Sequence, residues 1–406
     1  MTFRVQRRLL SWHGLLTLAI CIPLAVLLLC RQLLCRPTKP RYQVRRDWRE
    51  LPDTPGSLSF QEKFLLWDRF NAPPGFGPYA GRNSDRYLIY RCDSESMSGC
   101  GGWADRLKGI LLGYNIANLT GRALKIEILK PMCDLSLYLA PNKVDWLLPS
   151  TFSPKPHEYR TVILTDSRDF KYTIHEQNFD TLFQQTKHVY FQANLDYLTG
   201  LRETLVYPKE LSWMRYTSPS DIYAALYKHI FKLTPHLQGE LQALLSAHLP
   251  SKNHRLVCAH LRMGINPSNH LDSVTINSVS NLPQVWDFLK EHAPAQSDVV
   301  FVMSDSQQVL NMALQQSFRD RVLLIPGSLH HVDRYNEHTR PEDMCSAFRR
   351  LILEFHLLVN CHVLLKSKSG LSNLASSLRG TDRDLFYFHR NGSITPTGRN
   401  DFAFVP

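Results

Sequence analysis

The sequence predicts an α/β protein: two doubly wound, parallel-sheet domains facing a cleft, preceded by a single transmembrane helix and a stem. Three observations predict it. Beyond residue 250, short apolar runs alternate with segments of helical period, the pattern of a parallel sheet wound with helices. A β–loop–α–β unit opens the globular region near residue 85. Residues 9–30 are a run of 22 without Asp, Glu, Lys or Arg, long enough to cross a bilayer as a helix.

The elements follow in chain order. Residues 1–8 form a short tail and 9–30 the membrane span. The run ends in Leu27, Leu28, Leu29, Cys30 and Arg31, so it reads as an uncleaved anchor; a signal peptide has a shorter apolar region closed by small residues. Residues 31–84 are proline-rich and lack periodicity, as a stem does, with a short helix over 60–67. The first domain, 85–249, starts with a strand at 86–90. A glycine-rich loop at 99–103 leads into a helix over 104–119, whose apolar positions 107, 110, 111, 114 and 117 share one face. A strand follows at 123–129, then strands at 161–164 and 188–191. Two helices over 221–249, broken near Pro235, bridge to the second domain. That domain, 250–406, alternates strands at 256–261, 299–303, 322–325, 362–366 and 385–388 with helices at 282–291, 307–315, 342–359 and 371–378.

The formal charge of +11 locates mostly to residues 1–50, which hold ten Lys/Arg against two Asp/Glu. The rest is close to neutral, which removes most of the support for nucleic acid as a partner. Cys21, Cys30 and Cys35 belong to the anchor region; the other six of the nine cysteines lie beyond it, at 92, 100, 133, 258, 345 and 361. An even number suits an oxidising compartment, but six allow 15 pairings. Their spacing does not repeat the close pairs of a zinc site.

Three strand ends of the second domain carry polar residues: His260 and Arg262, then Ser304 to Ser306 around Asp305, then Lys366 to Gly370. Strand ends on one side of a parallel sheet converge, and ligands bind there. Arg262 offers a planar fork that matches a diphosphate. Ser369 and Gly370 open a helix whose free N–H groups and dipole suit a phosphate, although Ser369 also reads as a plain N-cap. Asp305 reads either as a ligand-facing carboxylate or as the cap of the next helix. Asp382 and Asp384, and the group His330, His331 and Asp333, superficially resemble metal ligands and read instead as strand-start and loop residues.

Taken in order, these segments resemble the GDP-fucose-dependent fucosyltransferases, the superfamily of the protein O-fucosyltransferases and the α-1,2 and α-1,6 enzymes. The resemblance covers about residues 85–390. H-L-R-M-G at 260–264 resembles the first motif, which implies that Arg262 holds the donor diphosphate beside His260. V-F-V-M-S-D-S at 300–306 resembles the second, which implies that Asp305 helps to hold the nucleoside. K-S-K-S-G-L-S-N-L-A at 366–375 resembles the third and implies phosphate contacts by Ser369, Gly370 and Ser372. G-C-G-G-W-A-D-R-L-K-G at 99–109 resembles the glycine-rich loop facing donor and acceptor, which implies donor contacts by Gly102 and Trp103. Asp105 stands where some relatives have Asn, and Met263 replaces the second Arg of the α-1,6 type.

The resemblance implies a GT-B fold of two Rossmann-like domains, inverting transfer, and no metal or other cofactor, with GDP-fucose as donor substrate and a glycan or glycoprotein as acceptor. An inverting transfer must dispose of the acceptor hydroxyl's proton; Asp105 and Asp272 are the candidates. It further implies a single-pass type II Golgi membrane protein with its large domain in the lumen. The arginines flanking the span on its C-terminal side argue the opposite orientation. The sequons at Asn118 and Asn391 argue for the lumen; Asn391 falls in a turn and Asn118 in a helix. The motifs address the diphosphate more than the sugar. Two alternatives stand: another nucleotide-sugar donor, or a non-catalytic Golgi-resident binding protein on a degenerate transferase fold.

Overall fold

The structure, a computed structural model, describes residues 76, 81, 84–93, 99–183, 186–251, 253–335 and 338–401, all within one compact unit, Trp48–Pro406. The tail, the membrane span, the helix over 60–67 and nearly all of the stem lie outside the described residues. Among the described residues, no helix is long and apolar enough to cross a membrane.

The first half builds a four-stranded parallel sheet in the order β2-β1-β5-β4, from β1 (Tyr87–Cys92), β2 (Ala123–Ile128), β4 (Tyr159–Ile163) and β5 (His188–Gln192). The second half builds a six-stranded sheet in the order β12-β11-β10-β7-β8-β9. Its strands are β7 (Leu256–Leu261), β8 (Val299–Ser304), β9 (Val322–Leu323), β10 (Val363–Lys366), β11 (Leu385–Phe388) and β12 (Ile394–Pro396). Only β12 runs antiparallel. A small antiparallel ladder, β3 (Leu139–Pro141) with β6 (Phe231–Leu233), joins distant parts of the first half.

The main helices are α1 (Trp103–Leu119), α2 (Pro219–Ile230), α3 (Pro235–His248), α4 (Leu282–His292), α5 (Gln307–Ala313), α6 (Pro341–Val359) and α7 (Gly370–Arg379). Each strand and helix expected within the described residues is present within a few residues. The ladder β3–β6 and strand β12 were not expected, because pairs of three-residue strands carry too short a pattern to read.

Periodicity explains the layering. β7 and β8 are buried along their whole length, as strands covered on both faces must be. Alternate residues face opposite sides. Val257, Ala259 and Leu261 join Val300 and Val302 in a core under α4 and α5. Leu256 and Cys258 join Phe301, Met303 and Leu364 in the larger core that runs on into the first half. His260 shares the parity of Cys258, so it belongs to the side facing the first half.

α1 is buried nearly all round, because it packs on β1 and β2 and also meets α7 of the second half. Gly109 permits this: a Cβ there would stand 2.0 Å from the Ala193 carbonyl oxygen. Globular packing begins earlier than residue 85. Phe76 lies against Trp213 and His229 at 4.7 Å between ring centroids, and Gly81 is packed against the Arg122 carbonyl.

The six cysteines beyond the anchor form three disulfides: Cys92–Cys100, Cys133–Cys345 and Cys258–Cys361. The second joins residues 212 apart and ties the segment after β2 to the first turns of α6. The third binds β7 to the chain entering β10.

Candidate active site

Both sheets reverse their order at a switch point. In the second sheet it falls between β7 and β10, the neighbours from which the chain proceeds in opposite directions. In the first sheet it falls between β1 and β5. The loop after β1 is held there by Gln192, whose Nε2 donates to the Gly99 carbonyl at 3.3 Å. The loops beyond these strand ends line one cavity of about 460 Å³, within the usual range of about 300–1,000 Å³ for small-molecule sites. Gly102, Trp103 and Asp105 come from the first half; His260, Arg262, Asp272, Asp305, Ser369 and Gly370 come from the second.

Arg262 leaves β7 at the centre of this cavity. Its backbone N–H donates to Ser367 Oγ at 2.9 Å, across the switch point. Its guanidinium is shared between two carboxylates. Nη1 donates to Asp305 Oδ2 at 2.7 Å, and Nη2 pairs with Asp272 Oδ2. Asp305 also accepts from the N–H groups of Met263 (2.7 Å) and Gly264 (3.0 Å). It thus holds the turn after β7 while lining the cavity. It is not the cap of α5; that position belongs to Ser306.

Asp272 is equally committed, accepting from Arg334 Nη1 at 2.5 Å, Asn269 Nδ2 at 3.1 Å and the Ser273 N–H at 2.8 Å. Burial pushes its carboxyl up, but Arg262, the Ser273 N–H, His331 and Arg334 together hold it below the usual carboxylate range. A buried carboxylate paired with two arginines, its pKa lowered, is a poor proton acceptor. Asp105 is the better candidate. Its oxygens accept from the Gly102 N–H (3.1 Å) and meet Lys108 Nζ (2.7 Å), and its side chain remains over a third exposed.

Two of the histidines lining the cavity, His260 and His331, are neutral at physiological pH. Burial, with the nearby Arg262 charge, lowers His260 to about 3. Its Nδ1 is buried without a hydrogen-bond partner among the described residues. Burial, again with Arg262, lowers His331 to about 4. His331 Nδ1 accepts from the N–H groups of Asp333 (3.2 Å) and Arg334 (3.1 Å). That fixes its proton on Nε2.

Sequence reading missed two groups. Arg106, fully buried on α1, donates from Nε to the Gly101 carbonyl at 3.0 Å and from Nη2 to the Val332 carbonyl at 3.0 Å. It stitches the glycine-rich loop to the second half, with Asp333 at 3.5 Å. Glu354 and Arg350 on α6 also line the cavity. Arg350 Nε meets Glu354 Oε1 at 2.9 Å, and its Nη1 donates to the Gly327 carbonyl at 2.7 Å. Glu354 Oε2 has no partner among the described residues. Burial raises this carboxyl to about 7, with Arg350 opposing. One charged pair spaced i,i+4 in an apolar helix reads as a surface pair; only its burial marks it.

The remaining expected residues divide between the cavity wall and the rest of the molecule. Ser369 caps α7, its Oγ accepting from the Leu371 N–H at 3.3 Å. Ser372 is fully buried outside the cavity lining, its hydroxyl donating to the carbonyls of Ser367 (3.3 Å) and Ser369 (3.4 Å). Trp103 reaches the cavity edge and packs against Phe348, with ring centroids 5.3 Å apart. Asn391 is exposed in the turn before β12, its Oδ1 accepting from the Ser393 N–H and Oγ. Asn118 sits in the last turn of α1, and its sequon partner Thr120 is buried, bonded to the Ile116 carbonyl at 2.8 Å. Asp382 holds Arg399 at 3.2 Å. Among the described residues, no group of three or more His, Cys, Asp or Glu is arranged to hold a metal ion.

No family model matches the chain, and no curated protein matches it. Solved structures do. An arginine-to-lysine mutant of Arabidopsis thaliana FUT1 in complex with GDP matches over 77% of this chain and 71% of that chain, at 13% identity and a TM-score of 0.50. Fucosyltransferase NodZ from Bradyrhizobium matches over 77% of this chain and 98% of its own, at 16% identity and a TM-score of 0.44. POFUT1 in complex with GDP matches over 75% and 98%, at 11% and 0.38. The first of these establishes the fold: this chain has the mixed α/β, parallel-sheet architecture of the GDP-bound plant protein.

Proposed function

We propose that this chain is an inverting, metal-independent glycosyltransferase that moves fucose from GDP-fucose to a glycan or protein hydroxyl. One observation carries the reading. Residues from the glycine-rich loop, His260, Arg262, Asp305, Ser369 and Gly370, separated by up to 270 positions in sequence, line a single cavity at a topological switch point. The GDP bound to the plant protein of the same fold supports a guanine nucleotide as the occupant.

In this reading the N-terminus of α7 and Arg262 face the donor diphosphate. Preorganised donors and dipoles there stabilise the charge that develops as the glycosidic bond breaks. Guanine presents two adjacent N–H donors. Glu354, in the cavity wall, has Oε1 held by Arg350, which leaves Oε2 to accept from one of them. Asp105, at the junction of the two halves, takes the acceptor proton. Incubation of the full-length protein with a panel of nucleotide sugars is expected to show turnover of GDP-fucose. Turnover of a different donor, with none of GDP-fucose, overturns the choice of donor. Absence of GDP binding by calorimetry favours the non-enzymatic alternative.

The proposed setting is the Golgi lumen, with the protein anchored as a single-pass type II membrane protein by residues 9–30. Three disulfides support an oxidising compartment, and the exposed turn at Asn391 supports a glycan-accessible surface. Glycosidase digestion of the protein expressed in cells is expected to increase its gel mobility, and Asn391→Gln to remove that shift. An unshifted wild-type protein whose large domain is open to protease from the cytoplasm contradicts this topology.

A further inference from the structure

We propose that Lys368 brings to this cavity a positive charge without a carboxylate partner among the described residues and binds the pyrophosphate of its ligand directly, beside the N-terminus of α7. The proposal rests on the donor reading above and adds a residue to it.

The argument is one of charge. Arg262 looks like the phosphate ligand from sequence, yet both terminal nitrogens of its guanidinium meet carboxylates. Arg334 takes the other oxygen of Asp272. Two cations thus face two anions, and the cluster is neutral. Arg350 is matched by Glu354, and Asp105 by Lys108. A neutral cluster orients a ligand well but does little to offset several negative charges taken out of water. Lys368 lines the same cavity, is exposed, and has no carboxylate partner among the described residues. Its ammonium is a mobile point charge, which suits phosphate oxygens as the lysine of phosphate-binding loops does.

Position reinforces charge. Lys368 immediately precedes Ser369, the cap of α7. The next residue, Gly370, lies so close to α1 that an added Cβ would stand 3.0 Å from Ala104 Cβ. The N-termini of α1 and α7 therefore meet beside Lys368, and both dipoles favour an anion there. His260 points independently to a ligand. It is almost wholly buried, lines the cavity, and its Nδ1 lacks a hydrogen-bond partner among the described residues. An orphaned buried polar atom of this kind calls for a partner from outside the chain.

The test is calorimetric titration of the full-length protein with GDP, inorganic pyrophosphate and guanosine, for wild type, Lys368→Gln and Lys368→Arg. Lys368→Gln is expected to keep its melting temperature, because the side chain is exposed. It should weaken GDP and pyrophosphate about ten- to a hundredfold, the value of a charged hydrogen bond. It should leave guanosine unchanged and flatten the salt dependence of GDP binding. Lys368→Arg should recover most of the affinity. Wild-type affinity for GDP in Lys368→Gln overturns the proposal and leaves the donor reading intact. Lys368-dependent binding of pyrophosphate, with no binding of GDP, removes the donor reading and leaves the role of Lys368 standing. Binding of neither overturns both.

Discussion

Arg262→Ala is expected to lower the transfer rate at least a hundredfold and to destabilise the protein by on the order of 3 kcal/mol at neutral pH. The two effects have one origin. The guanidinium neutralises Asp272 and Asp305 together, and those carboxylates hold the turn after β7 and the 269–273 loop. Alanine leaves two largely buried anions facing one another, so the turn that lines the cavity loses its shape. Arg262→Lys keeps the charge but reaches only one carboxylate, so it should stay folded and still lose most activity.

The stability loss carries a pH signature. Asp272 is held below its ordinary pKa in the native protein. The stability it contributes is therefore present above the unfolded value, near 3.9, and is lost as pH falls below it. The gap in melting temperature between wild type and Arg262→Ala should be wide at pH 7 and should narrow as pH falls below about 4. Transfer rate and melting temperature are measured on the same variants. A stable, fully active Arg262→Ala protein would falsify the assignment of this cluster to the site.

Glu354→Gln is expected to weaken GDP about a hundredfold while barely changing the weaker binding of nucleotides with other bases. A site built to hydrogen-bond a buried donor discriminates strongly when that bond is lost. Glutamine keeps the shape of Glu354 and still offers an oxygen to Arg350, but it places an N–H where guanine also presents one. Two pH dependences should accompany this, with opposite signs. Burial raises the Glu354 carboxyl to about 7, so the acceptor form develops as pH rises from 6 to 8 and GDP binding should strengthen over that range. A carboxyl raised in the native state binds its proton more tightly there than in the unfolded chain. Its contribution to stability is full below the unfolded value, near 4.3, and is lost as pH rises through 7. Both trends should vanish in Glu354→Gln. Calorimetry across pH, with thermal melts in the same buffers, tests them; equal affinity for GDP in the two proteins removes Glu354 from the base site.

Much of the fold and site could be read along the chain. The strands at 256–261 and 299–303 announce themselves because they are apolar throughout, as only strands covered on both faces are. Helix α7 is marked by Ser369 at its cap and Gly380 just past its end, the latter at φ 78°, where glycine is at home. His260, Arg262, Asp305 and Ser369 were legible as site residues because each ends a strand or opens a helix on one side of a parallel sheet. Glu354 was not, because one acid in a helix looks the same whether solvent or a cavity faces it.

The sequence by itself determined the order of strands and helices, the two parallel sheets, and the strand ends where chemistry gathers. These follow from local period and capping, which depend on residues a few positions apart. The tertiary structure alone decided which cysteines pair, that Asp305 and Asp272 serve Arg262, and that Ser372 bonds to the Ser367 and Ser369 carbonyls away from the cavity. It alone brought Arg106 to the Val332 carbonyl and Glu354 to the cavity wall. Those outcomes depend on distances between residues tens to hundreds of positions apart, which are set when the two halves pack and which local pattern does not encode.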